Sequence, residues 1–96
     1  MSTYESPEVW KAELRIHILA DATFRRAHDL SGRMVTHSRT SREVVDALVA
    51  EGLVSVAERT AGHITVTATD KAMLSREEFE HKRQILSDAY VNAYDR

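Results

Sequence analysis

Apolar residues along this 96-residue chain recur first at the spacing of a helix, then at that of a strand, then at that of a helix again. Trp10, Leu14 and Ile18 repeat every four positions, and Ser6, Pro7 and Glu8 before them supply an N-cap, a proline suited to the first helical position and an acidic first turn. A helix is therefore predicted from about residue 7 to 20. Leu14, Ile16 and Ile18 also alternate as a strand would, but the cap and the length of the run favour the helix. Thr23 and Phe24 then read as a short link. Ala27, Leu30, Ser31 and Met34 form the expected buried side of a second helix, ended by a turn over Val35 to His37. A third helix is expected to start near Ser38, where Thr40 and Glu43 have capping-box spacing, and to stop at Gly52. Its buried side would be Val44, Val45 and Leu48, and its other face would carry Arg39 and Arg42.

Beyond Gly52 the period changes to two. Leu53 to Val56 and Ile64 to Thr67 alternate around Arg59, Thr60, Ala61 and Gly62, which predicts a hairpin. Helical spacing returns at Asp70, with a second capping-box pair at Ser75 and Glu78 and an apolar stripe of Phe79, Leu86, Tyr90 and Ala93. The fold class implied is mainly α with a small β-hairpin, an α+β domain. One domain is expected over residues 1–96, with a core at about 7–74 and a further helix at about 75–93.

Two helical stripes flanking a polar turn are the sequence form of a helix-turn-helix, and charge strengthens that reading. The formal net charge is −2, yet residues 22–45 hold Arg25, Arg26, Arg33, Arg39 and Arg42 against Asp29 and Glu43 only, a local balance of +3. A basic segment in an otherwise acidic chain is the pattern of a surface turned toward DNA. A solvated helix face would carry such charge as well.

The predicted order of three helices, a hairpin and a last helix resembles the winged helix-turn-helix regulators, above all the MarR-type and PadR-type families. The likeness spans roughly Trp10 to Leu74 and is strongest from Val44 to Lys71. There VVDALVAEGLV leads into the hairpin, and VTATDK is similar to the segment by which these families leave the wing for the last helix. Two positions depart from the family pattern: Val35 where the tight turn often has glycine, and Ser41 at an inward position usually held by valine or isoleucine. The resemblance implies that His37, Ser38, Arg39, Thr40, Arg42 and Glu43 begin the recognition helix, with Asp46 orienting an arginine. It places Arg59 and His63 at the wing tip, and the basic segment adds Arg25 and Arg33 to the expected DNA-binding set. Arginine suits bidentate bonding to guanine, and hydroxyls and a helix N-terminus suit phosphate. The partners expected are double-stranded DNA and a second copy, paired through Phe79, Leu86, Tyr90 and Ala93; packing of that stripe within the chain is the alternative.

Other chemistry finds little support. The five histidines, His17, His28, His37, His63 and His81, show no ligand spacing on one helix, and a metal site is not expected. No glycine-rich phosphate loop or nucleophile motif is present, so neither an enzyme nor a cofactor is expected. Trp10, Phe24 and Phe79 read as core anchors. The chain has no cysteine, and MSTYESPEVW has no signal-peptide pattern, so the cytoplasm is the expected location. A winged-helix module that binds an acidic protein partner without DNA is the alternative reading.

Overall fold

In a computed structural model that describes residues 7–36, 38–58 and 62–94, the chain is an α+β domain of four helices and a three-stranded sheet. The elements are α1 (Pro7–Ala27), β1 (Arg33–Thr36), α2 (Arg39–Ala50), β2 (Val54–Glu58), β3 (His63–Ala68), α3 (Asp70–Met73) and α4 (Arg76–Tyr94). Ser6, expected to cap the first helix, lies outside the described residues.

The first helix does not stop at residue 20. It continues for two more turns because residues 18–23 sit at the centre of the domain: Ile18, Leu19, Ala20, Ala22 and Thr23 are all buried. Thr23, expected in a link, keeps its hydroxyl satisfied within the helix by donating to Leu19 O (2.7 Å) and Ala20 O (3.0 Å). The helix then closes with paired reverse bonds, Leu30 N to Arg25 O (2.8 Å) and Asp29 N to Arg26 O (3.2 Å), around Asp29 at φ 55°. A left-handed residue with a side chain costs energy that glycine avoids, so Asp29→Gly is expected to stabilise the domain by up to about 1 kcal/mol. A higher urea midpoint at unchanged slope is the readout.

The predicted second helix is absent. Ala27, Leu30, Ser31 and Met34, its expected buried side, are all exposed, and the segment where its end and the turn were expected is instead the strand β1. Val35, expected in a turn, is the buried residue of that strand. β1 pairs antiparallel with β3, Arg33 opposite Val66 and Thr36 opposite His63, giving a sheet ordered β1-β3-β2. The hairpin forms as expected, with Val54 opposite Ala68 and Val56 opposite Val66.

Val35, Val54, Ile64, Val66 and Ala68 of the sheet pack into one core with α1 and with Val44, Val45 and Leu48 of α2. α2 ends at Gly52, as expected, with Leu53 N bonded to Leu48 O and Gly52 at φ 76°. Phe79 of α4 joins the core, whereas Trp10 and Phe24, read as anchors, remain 40% and 38% exposed. Among the described residues no helix is long and apolar enough to cross a membrane.

Candidate functional site

The first turn of α2 is organised by two serines. Ser38 is the N-cap; its Oγ accepts from Ser41 N (3.2 Å) and donates to Ser41 Oγ (2.9 Å). This explains Ser41 at a buried position where an aliphatic residue would be usual: its hydroxyl is spent on the cap. The expected Thr40–Glu43 capping box gives way to this pair. Glu43 instead reaches the Lys11 ammonium of α1 at 2.6 Å. That hydrogen bond and the opposed charges hold the Glu43 carboxyl below its ordinary pKa and raise that of Lys11.

Glu43 therefore faces α1 as much as any groove, while Arg39 beside it projects outward with its side chain 94% exposed. Arg39 Nε lies 3.8 Å from Glu43, and Arg42 Nε lies 3.9 Å from Asp46, both at i,i+4 spacing. A long, exposed pair of this kind holds a side chain loosely, so the Arg39 guanidinium can turn to another acceptor. Asp46 thus stands where it was expected, next to Arg42.

The sheet brings the hairpin to the same end of the domain. Thr36 is paired with His63 at the start of β3, and Ser38 N donates to Thr36 O (2.9 Å), so the N-terminus of α2 stands beside the root of the hairpin tip. Ser38 and His63 are exposed there and Thr40 is half-buried. His37 and Arg59, both expected at this surface, lie outside the described residues.

Arg25 and Arg33 do not join that surface. Each guanidinium is 3.2 Å from Asp21 Oδ2, and Arg25 also donates to Ser31 O (3.2 Å), so the two arginines fasten the α1–β1 connection. Arg33 lies three residues before Thr36 along β1, about 10 Å away at the rise of a strand. Arg26 is bound at the end of β3, to Ala68 O (3.0 Å) and to the Asp70 carboxylate. Three of the five arginines in the basic segment thus serve the fold, and clustering along the chain does not become one surface.

The stripe assigned to pairing turns inward. Phe79 is buried, Leu86 and Tyr90 are half-buried, and Tyr90 Oη donates to Glu13 of α1 (3.1 Å). The side chain of Ala93 lies outside the described residues. Ile85 and Val91 are the large apolar residues left exposed among the described side chains of α4.

Lys11, Arg15, Glu51 and Lys71, not singled out in the sequence, help hold α2 in place. Lys11 and Arg15 of α1 meet Glu43 of α2 and its C-cap Glu51, and Arg15 Nη2 lies 2.7 Å from Glu51. Glu51, whose carboxyl the Arg15 hydrogen bond holds below its ordinary pKa, also offers its main-chain carbonyl to Lys71 Nζ (2.8 Å). The signal was present as bases four apart on one helix and acids eight apart on another, but only packing reveals that the two rows face each other.

Among the described residues no three histidine or acidic side chains converge as a metal site would require. Compared with known proteins, the chain matches no family model, no curated protein and no solved structure.

Proposed function

We propose that this chain is a sequence-specific double-stranded DNA-binding regulator, a repressor that acts as a homodimer on an inverted repeat through a winged-helix frame. The observation that carries the reading is the exposed Arg39 on the first turn of α2, beside the hairpin root joined to it through Thr36. A capped helix N-terminus presents free amides to phosphate, an outward arginine can reach a guanine edge in the major groove, and an adjacent hairpin can follow the backbone. The order β1-β3-β2 with a helix between β1 and β2 is compatible with such a frame, although a strand rather than a helix precedes α2. Exposed Trp10 and Phe24 on α1, with Ile85 and Val91 on α4, offer apolar surface to a second copy in place of the inward-turned stripe.

Selection from random duplexes is the first test, and the spacing of enriched half-sites reports the dimer. On the selected duplex, Arg39→Ala and Arg42→Ala are each expected to weaken binding about ten- to a hundredfold while leaving the fold intact, the size of one base-reading arginine. Fluorescence anisotropy with unrelated competitor DNA measures this. No enriched sequence, or unchanged affinity in both variants, removes the reading.

A second reading is favoured by one observation: each of these arginines already lies within 4 Å of an acid and the whole chain is acidic. That balance suits a protein partner, whose binding unrelated DNA would not compete.

A further inference from the structure

Residues 68–71 are where three parts of the domain meet. Just beyond α2, three consecutive carbonyls are each taken by a donor from the β3–α3 junction. Lys71 Nζ reaches Glu51 O (2.8 Å), Thr69 Oγ1 reaches Gly52 O (2.6 Å) and Thr69 N reaches Leu53 O (3.0 Å). The last helical carbonyls, of Ala47, Leu48 and Val49, are taken by the amides of Glu51, Leu53 and Gly52, and those of Glu51, Gly52 and Leu53 are taken by α3 and its N-cap, directly after the strand that carries the hairpin. Gly52 makes the turn possible by taking φ 76°, and the Lys71 stem passes over it at ordinary contact distance, its Cδ 3.8 Å from where a Cβ would stand. At the same junction Arg26 of α1 holds Ala68 O and Asp70. One short segment therefore ties the ends of α1 and α2 to the base of the hairpin.

We propose that Lys71 is a positioning residue that fixes the C-terminal end of α2 against β3 and so sets the angle at which the first turn of α2 stands beside the hairpin tip. The proposal rests on the DNA-binding reading. Leverage makes the position consequential. α2 has 12 residues and is about 18 Å long, so a tilt of about 10° about its C-terminal end moves Arg39 by about 3 Å. That displacement is as large as a hydrogen bond is long, whereas base readout needs both arms of a guanidinium in place together.

Lys71→Met keeps the stem and removes the donor and the charge, while Lys71→Arg keeps both donor and charge. On the selected duplex, Lys71→Met is expected to bind about tenfold more weakly, to lose discrimination against unrelated duplex, and to keep the wild-type dependence of log affinity on log salt. Lys71→Arg is expected to recover most of the loss. A slope lowered by about one, with both duplexes weakened alike, would make Lys71 a phosphate contact and overturn the proposal, as would unchanged affinity.

Amide hydrogen exchange without DNA supplies an independent arm. Gly52 and Leu53, bonded to Val49 O and Leu48 O, are expected to exchange at least about tenfold faster in Lys71→Met, and unchanged rates overturn the proposal. If the wild type binds no duplex, the DNA-binding reading falls by itself, and exchange at Gly52 and Leu53 still decides whether Lys71 holds the end of α2.

Discussion

Leu48→Ala is expected to lower the unfolding free energy by about 2–5 kcal/mol, while Val49→Ala, one residue along the same helix, should change it by about 0.5 kcal/mol at most. Leu48 is 0% exposed and lies with Val44 and Val45 on the side of α2 that enters the core, whereas Val49 is 44% exposed. Truncating Leu48 removes its transfer free energy and leaves a cavity that close-packed neighbours cannot fully collapse. Domains of this size hold only about 5–15 kcal/mol in total, so the loss should show as a fall of about 10 °C or more in melting temperature. Thermal circular dichroism measures both variants. Equal losses at Leu48 and Val49 would mean that α2 is rotated about its axis, and Arg39 would then no longer face outward.

Gly32→Ala should cost about 1–3 kcal/mol, for a reason that lies in β3. A Cβ on Gly32 would stand 2.7 Å from Val66 O and from Thr67 Oγ1, and 2.8 Å from Thr65 Cγ2. The threonine side chains can turn away, but Val66 O belongs to the strand that pairs with β1, and it cannot retreat without disturbing the Arg33–Val66 register. Urea denaturation should therefore show a lower midpoint in Gly32→Ala, and adding Thr67→Ala should recover only part of it. Wild-type stability in Gly32→Ala would place this glycine away from β3 and remove β1 from the sheet edge.

Several elements were legible because their causes are local. The start of α2 at Ser38 and its stop at Gly52 depend on a side chain reaching an amide three residues ahead and on a φ that glycine adopts freely. The hairpin could be read from alternation, and the inner face of α2 from three valine and leucine positions. The errors fell where distant partners decide. Leu30 and Met34 have helical spacing, but β3 supplies hydrogen bonds to residues 33–36 that no neighbour in sequence could offer, and the strand results. Thr23 read as a link, and threonine is a weaker helix former than alanine or leucine; complete burial within the core keeps it helical.

The candidate surface divides in the same way. Arg39 and Arg42 were legible, since their outward direction follows from the period of α2 once its apolar face is known. For Arg25 and Arg33 the pattern shows a charge but not its partner: both converge on Asp21, which a helix and a strand bring together only on folding.

By itself, then, the sequence determined the α+β class, the extent and caps of α2, the hairpin and the direction of the two arginines, all consequences of interactions spanning a few residues. Only the tertiary structure decided that residues 33–36 are a strand, that Phe79 and Tyr90 of α4 turn inward, which arginines are tied to Asp21 and Asp70, and that Lys71 bonds the Glu51 carbonyl just past α2. Each of these depends on contacts between residues far apart in the chain, whose free energy exists only after the core has brought them within reach.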